Sequence, residues 1–368
     1  MPKDKQKYTT IHYQDYLQID KLLSAQTMRS ETVNGKVAHD EMLFIITHQV
    51  YELWFKQCIH ELKAVHKVFT KDEVLEPEVG TAVSRITRVV TILKLMIDQI
   101  DIMETMTPLD FLEFRDLLFP ASGFQSFQFR QLEVLLGLNI HKRITYNGKH
   151  FASVFSEQQK QDLEDIEKHG SMVNLIEKWL ERTPFLEFKG FNFLKYYKNA
   201  VDGMLEREQK SIENSPYLTD DEKQMRQKML GNTNTYFNSI LDRSAHEKLK
   251  AAGEVNFSYD ATIAALLINL YRDEPILRMP FNLLSGLMDI DASLTAWRSR
   301  HAQMVLRMLG KKIGTGGSSG HEYLAKTAAK HHIFNDLYNV STLLIPRSEL
   351  PELTDDIKKH LGFHFYNE

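Results

Sequence analysis

Two histidines far apart in the sequence, His48 and His301, each lie among apolar residues that have the spacing of an amphipathic helix. Phe44, Tyr51 and Phe55 are spaced to share a helix face with His48, which gives that face flat aromatic walls. A helical protein can hold a haem between two such faces, with one imidazole on the iron and the other facing the open coordination position. A single histidine on an apolar face is more often a hydrogen-bonded core residue, so the companions of each histidine decide its interpretation.

Trp297, Met304 and Met308 are spaced to share a helix face with His301. A neutral histidine whose free nitrogen points into apolar space suits a haem iron as its axial ligand, while the other ring nitrogen should donate to an acceptor that the sequence does not identify. Cys58 is the only cysteine, which excludes an intrachain disulfide and a zinc ribbon. Because no Cys-x-x-Cys-His motif is present, a haem would be bound non-covalently.

A glycine-serine segment, residues 314–320, follows the helix pattern around His301. Its glycines permit positive φ angles, and backbone N–H groups and hydroxyls around Thr315 could together bind the polar groups of a ligand. The segment lacks the lysine of a phosphate-binding Walker A loop. A flexible connector is the alternative interpretation.

Phe111 and Arg115 are spaced one helical turn apart, so the pattern predicts an aromatic ring and a guanidinium group that face the same way. Arginine suits two-pronged recognition of a carboxylate, and the ring suits a flat apolar group. An aromatic amino acid would satisfy both. The alternative is a surface ion pair of Arg115 with Asp116 or Glu113.

Apolar periodicity predicts an all-α helical bundle with an inserted or appended helical lobe, because no alternating run is long enough to require a sheet. Predicted helices cover residues 40–69, 83–103, 122–136 and 276–309, a short one begins at Thr107-Pro108, and Gly137 and Gly310 stand at the C-terminal ends. Residues 139–150 form a turn-rich break. Residues 156–249 are more charged and are predicted to be the lobe within one domain of residues 1–368.

The composition indicates a globular protein, since 43% of the 368 residues are hydrophobic and 26% are charged. A formal net charge of −4 provides no attraction for nucleic acid or anionic lipid, so neither is an expected partner. The polar N-terminus and the absence of long apolar runs predict a cytoplasmic protein.

The sequence resembles the tryptophan 2,3-dioxygenase family in six blocks that occur in the family's order. They are residues 39–57 (HDEMLFIITHQVYELWFKQ), 111–115 (FLEFR), 120–126 (PASGFQS), 181–184 (ERTP), 288–291 (MDID) and 314–320 (GTGGSSG). With weaker matches the resemblance extends from Tyr13 to Pro346.

The resemblance implies a haem-dependent enzyme that inserts both atoms of dioxygen across the indole C2–C3 bond of L-tryptophan and yields N-formyl-L-kynurenine. This reaction opens the kynurenine route of tryptophan breakdown. The implied cofactor is non-covalent haem b, active with Fe²⁺, and dioxygen is the co-substrate. The implied assembly is a homotetramer, a dimer of dimers.

The resemblance also implies which residues contact the haem. His301 is expected to be the axial iron ligand, with Trp297 and Ser122 near the haem. His48 is expected to be the catalytic histidine on the other side, where it hydrogen-bonds the indole N–H.

On the substrate side, the resemblance implies that Phe44 and Phe111 pack on the indole and that Arg115 grips the carboxylate. Thr315 is expected to meet the ammonium and carboxylate groups. Tyr13 belongs to an N-terminal segment, residues 1–30, that is expected to reach the active site of the neighbouring subunit.

The sequence departs from the family pattern near the site. Phe111 replaces a tyrosine of some members, so a hydroxyl contact to the carboxylate is absent. Ser299 and Arg300 precede His301 where some animal relatives have tyrosine and asparagine, and His321 stands where tyrosine often follows the glycine-serine segment. The residues before His301 bear on the iron's redox potential rather than on its ligation.

Three alternatives remain open from the sequence. A haem-based gas sensor or haem carrier would share His301 and the apolar pocket but would not need Arg115 and Thr315. An oxygenase of other indoleamines would not need residues for both a carboxylate and an ammonium. A purely structural bundle would not explain the glycine-serine segment.

Overall fold

The computed structural model describes residues 10–138, 143, 151–184, 186–188, 190–310, 312 and 320–362. Thr315 and most of the glycine-serine segment lie outside the described residues. The predicted all-α fold class is confirmed, since the described residues form eighteen α-helices and one small β-hairpin.

The α-helices are numbered in chain order. They are α1 (Tyr13–Leu17), α2 (Ile19–Leu23), α3 (Arg29–Asn34), α4 (Glu41–Phe69), α5 (Glu76–Asp98), α6 (Ile100–Met103), α7 (Pro108–Leu112), α8 (Phe127–Leu136), α9 (Glu157–Lys168), α10 (Met172–Glu181), α11 (Phe193–Glu213), α12 (Asp220–Leu241), α13 (Arg243–Ala251), α14 (Tyr259–Leu270), α15 (Pro275–Leu309), α16 (Gly320–Lys330), α17 (Asn335–Thr342) and α18 (Asp355–Leu361). Short 3-10 helices lie at Arg115–Leu118, Gly123–Gln125, Phe151–Val154 and Arg347–Glu349. The hairpin pairs β1 (Glu187–Phe188) with β2 (Phe191–Asn192) in antiparallel register.

The bundle is built on the long helices that the periodicity predicted. α15 packs along α5 and α16, and α4 packs along α5 and α8. Their apolar faces meet in one core, in which Leu62, Ile86, Leu93 and Leu287 are buried. This burial is the main source of stability for helices of this kind.

α15 and α5 approach closely at one glycine. A Cβ atom on Gly286 would lie 2.6 Å from Cγ2 of the buried Ile86, a distance that a side chain cannot tolerate. The small residue therefore sets the spacing between α5 and the helix that carries His301.

Several predicted helix ends are confirmed, but two starts were wrong, and the helix predicted for residues 83–103 is divided between α5 and α6. Gly137 and Gly310 end α8 and α15 with φ angles of 112° and 59°, which glycine adopts without strain. α5 starts earlier than predicted, because Pro77 fits a first turn and the Glu78 carboxylate accepts a hydrogen bond from the Leu75 N–H. α8 starts later than predicted, at the residue after Ser126, whose hydroxyl caps it by accepting from the Phe129 N–H.

The predicted lobe, residues 156–249, holds α9 to α13 and the hairpin. α10 packs against α14 and α4, whereas α11 packs mainly against α12. Its status as an insertion stays a prediction. None of the helices in the described ranges is long and apolar enough to cross a membrane.

Candidate functional site

A cavity of about 310 Å³ lies where α4, α8, α15 and α16 meet. Its lining is largely aromatic and aliphatic, with a few polar and charged side chains. This combination is typical of a small-molecule or cofactor site.

Five of the predicted site residues lie in the wall of this cavity. They are Phe44, His48, Phe111, Trp297 and His301. The two histidines come from α4 and α15, which the sequence separates by about two thirds of its length. Their individual roles stay predictions.

The structure places the other predicted residues elsewhere. Within the described residues, Arg115, Ser122 and Tyr13 are not part of the cavity wall. Tyr13 is on α1 and is 71% exposed. Ser122 caps the short 3-10 helix that brings its neighbour Gly123 to the cavity.

Arg115 is not on the same helix as Phe111. α7 ends at Leu112, and Arg115 begins the following 3-10 helix, so the expected one-turn relation is replaced by a turn between two short helices. The Arg115 side chain is mostly buried, and its Nη1 lies 3.8 Å from Oδ1 of the exposed Asp116. This long contact with an exposed partner contributes little, so the surface ion pair does not account for the burial of Arg115.

His48 is held in one tautomer. Its Nδ1 lies 2.7 Å from the backbone oxygen of Phe44. A carbonyl oxygen can only accept, so Nδ1 carries the proton and Nε2 keeps its lone pair. Burial lowers the pKa of His48 and outweighs the Phe44 hydrogen bond and the charge of Glu52, which raise it. His48 lines the cavity, and its lowered pKa makes it a neutral hydrogen-bond acceptor at neutral pH.

His301 is also neutral. Burial, with a smaller contribution from repulsion by His48, lowers the pKa of His301 to about 4. Its Nδ1 is buried and has no hydrogen-bond partner among the described residues. Trp297 stacks on the ring at a centroid distance of 5.3 Å. A neutral imidazole in an apolar cavity is a suitable ligand for a haem iron.

Aromatic rings form a flat apolar part of the wall. The Phe44 ring lies 4.1 Å from the His48 ring and 5.8 Å from that of Phe111, the second pair being stacked. Phe44 and Phe111 pack on a small core cluster that includes Met103 and Met308. Two rings beside a neutral hydrogen-bond acceptor fit a planar ligand that has an N–H group.

A charged group in the wall was missed by the sequence analysis. Glu133 is fully buried and accepts hydrogen bonds from Arg130, Arg143 and Arg298 at 2.8, 3.0 and 2.9 Å. Arg130, Glu133, Arg298 and His331 all face the cavity. The sequence did contain a signal for this group. Arg130 and Glu133 are charged residues on a helix whose other residues nearby are mostly apolar, which indicates a buried ionic pair.

These residues fit a haem. The cavity offers a neutral imidazole with an unpartnered Nδ1, flat aromatic walls and buried arginines. A metalloporphyrin is flat, mostly apolar and carries two carboxylates, and each of these properties has a counterpart in the wall.

Comparisons with known proteins point to one family. A family model described as tryptophan 2,3-dioxygenase matches residues 2–344. The tryptophan 2,3-dioxygenase of Bdellovibrio bacteriovorus is 51% identical over 359 residues, which cover 98% of this chain and 100% of the relative. That of Alteromonas mediterranea is 46% identical over 360 residues, covering 98% and 99%. Tryptophan 2,3-dioxygenase B of Danio rerio is 45% identical over 354 residues, covering 95% and 86%.

We expect the cofactor-free chain to lose stability as the pH falls from about 6.5 towards about 4, in part through His301. In this window the unfolded chain protonates His301 and the folded chain does not, so unfolding is favoured at lower pH. Between pH 7 and pH 5 the contribution should be about 2 kcal/mol. Urea unfolding at both pH values measures it.

His301→Leu should make this pH dependence shallower, whereas His169→Gln, which changes an exposed histidine, should not. An unchanged dependence in His301→Leu would show that His301 titrates normally in the folded chain.

Proposed function

The chain belongs to the tryptophan 2,3-dioxygenase family, and from that premise we propose how its cavity performs the reaction. The enzyme inserts dioxygen across the indole C2–C3 bond of L-tryptophan and forms N-formyl-L-kynurenine, the first step of tryptophan breakdown by the kynurenine route. The observation that carries the proposal is the single cavity in which the neutral His48 and His301 meet.

We propose that the cofactor is non-covalent haem b, active in the Fe²⁺ state. His301 would ligate the iron, Trp297 would pack beside this imidazole, and Ser122 would lie near the haem edge. When bound, the iron supplies the position at which dioxygen is bound and activated.

His48 acts on the substrate. Its Nδ1–H is committed to the Phe44 carbonyl, so its Nε2 accepts a hydrogen bond from the indole N–H and fixes the orientation of the ring. Because burial keeps His48 neutral, it also brings no acidic proton into the cavity that would promote oxidation of the iron.

The remaining substrate contacts hold the two ends of tryptophan. Phe44 and Phe111 pack on the indole, as their stacked arrangement supports. Arg115 binds the carboxylate through two N–H groups, and Thr315 contacts the ammonium and carboxylate. Arg115 would have to reach the cavity from the turn after α7, and its burial supports a role other than a surface charge.

We propose a homotetramer, a dimer of dimers, in which residues 1–30 of one subunit complete the site of another through Tyr13. The described part of this segment supports the idea, because α1 and α2 expose Tyr13, Tyr16 and Leu23 by 71%, 69% and 72%. The buried Glu41 carboxylate accepts from the Arg29 and Ser30 N–H groups at 2.7 and 2.9 Å and so anchors the end of the segment to α4. We also propose a cytoplasmic location.

A haem-based gas sensor or haem carrier is not favoured, since the relatives across bacteria and eukaryotes are dioxygenases by name. A sensor would use the haem-binding part of the cavity alone. Turnover of L-tryptophan distinguishes the two functions, because a sensor or carrier would form no product.

The haem-loaded, reduced protein should convert L-tryptophan to N-formylkynurenine in air, measured by the absorbance of the product. Tryptamine lacks the carboxylate and indole-propionate lacks the ammonium, so both should react far more slowly than L-tryptophan. A haem spectrum without product from any of the three would favour the sensor or carrier.

Arg115→Ala should keep the Soret band of the wild type but raise KM for L-tryptophan and lower kcat. The combined loss in kcat/KM should correspond to about 2 to 5 kcal/mol if the charge pair is buried in the complex. Arg347→Ala is the control, because Arg347 forms an exposed ion pair with Asp273 at 2.6 Å. An unchanged KM in Arg115→Ala would rule out the carboxylate contact.

A further inference from the structure

We propose that Glu133 is a positioning residue that holds Arg130 and Arg298 in the cavity wall, where the two guanidinium groups receive the carboxylates of the porphyrin. This inference rests on the haem assignment proposed above. It places the haem carboxylates at one side of the cavity. It also gives a role to the buried Glu133 and its arginines, which take no part in the proposed contacts with the substrate.

The arrangement around Glu133 joins three parts of the chain. Arg130 is on the same helix, and Arg298 lies 165 residues further along on α15. The Arg298 Nη1 also donates to the backbone oxygen of His331 at 3.2 Å, and the His331 Nδ1 lies 3.7 Å from Glu133 Oε1. Hydrogen bonds thus hold both guanidinium groups, and both residues line the cavity.

The charges at this wall do not balance. Of the three buried arginines that Glu133 accepts hydrogen bonds from, Arg143 also interacts with the charge of Glu167. The two that face the cavity, Arg130 and Arg298, share the single carboxylate of Glu133. Burial alone would raise the pKa of Glu133, but the three arginines and the nearby His331 hold it well below its usual range. Glu133 is therefore ionised at neutral pH, and a positive excess remains.

Among the described residues, Arg130 and Arg298 form ion pairs with no carboxylate other than Glu133. Glu52 also faces the cavity, but its carboxylate oxygens accept from Ser126 Oγ at 2.6 Å and Gln128 Nε2 at 2.8 Å. Burial raises the pKa of Asp291, the carboxyl group that interacts with Arg298. No aspartate or glutamate occurs in the stretches that follow α8 and α15 and lie outside the described residues. These stretches are residues 139–142, 144–150, 311 and 313–319.

Buried positive charge that exceeds the negative charge around it is costly, so a wall in which Arg130 and Arg298 share one carboxylate is expected to bind an anion. The planar guanidinium group matches a carboxylate with two parallel hydrogen bonds. The rest of the cavity is mostly apolar, so the anion should belong to a molecule that is otherwise apolar. Haem b has this form, with two carboxylates on one edge of an apolar ring.

The same chemistry could come from the carboxylate of the amino-acid substrate. We assign the wall to the porphyrin because it offers two cavity-facing arginines for two carboxylates, whereas tryptophan has one carboxylate and an ammonium group that would be repelled.

The test compares haem b with its dimethyl ester, in which both carboxylates are blocked. Each is loaded into the full-length protein, and its release to excess apomyoglobin is followed at the Soret band. The wild type should hold haem b roughly tenfold longer or more than the ester, since charge-assisted hydrogen bonds are lost in the ester.

Glu133→Gln should abolish most of this difference between the two porphyrins. Glu61→Gln is the matched control, because Glu61 is also a buried carboxylate held by two arginines, Arg85 and Arg88, but it does not line the cavity. It should keep the full difference. General destabilisation affects both porphyrins alike, so the ratio of their release rates reports on the carboxylates alone.

If Glu133→Gln does not fold, Arg130→Lys provides the second variant. It keeps the charge but loses the two-pronged geometry, so the ratio should fall.

Equal release of haem b and its ester from the wild type would overturn this inference while leaving the haem assignment intact. Full discrimination in Glu133→Gln would overturn the role of Glu133. A raised KM for L-tryptophan in Glu133→Gln with unchanged discrimination would assign the wall to the substrate and also overturn the inference. Failure of the wild type to bind either porphyrin would instead contradict the proposed function.

Discussion

The burial of two neutral imidazoles in one apolar cavity is the constraint on which the rest of the site depends. His48 and His301 face the same space from α4 and α15, and burial lowers the pKa of each. Were either ring protonated, it would be neither a metal ligand nor an acceptor for an N–H group. The apolar packing of the bundle thus sets the protonation state that the chemistry needs.

The helices that carry these two rings share one support. α4 and α15 are both packed on α5, and Gly286 allows α15 to approach Ile86 on that helix. The Glu133 group then ties α8 to α15 by the hydrogen bond from Arg298. An apolar core lies on one side of the cavity, and an ionic contact between two helices lies on another. The cavity therefore has apolar and charged surfaces together.

The sequence predicted the long helices and the faces that carry His48 and His301, because apolar periodicity is strong over thirty-residue segments such as α4 and α15. It did not predict the turn between Phe111 and Arg115, where a capping box at Thr107 starts a helix of five residues. The Glu133 group was missed for another reason. Arg130 and Glu133 are three residues apart on α8, but the contact with Arg298, 165 residues further along, depends on the tertiary packing, and no local pattern reports it.

The two histidines are chemically similar, so the assignment of the iron to His301 is the central claim. His48 donates its Nδ1 proton to a backbone carbonyl, as metal-bound histidines often do, whereas the Nδ1 of His301 has no partner among the described residues. Because this contact alone would also suit an iron on His48, the experiment has to distinguish the two histidines. The most direct measurement is the Soret spectrum and haem content of His48→Ala and His301→Ala, prepared and reduced side by side. The account predicts that His48→Ala keeps a histidine-ligated haem and that His301→Ala loses it. The reverse result, with haem retained in His301→Ala and lost in His48→Ala, would contradict the account.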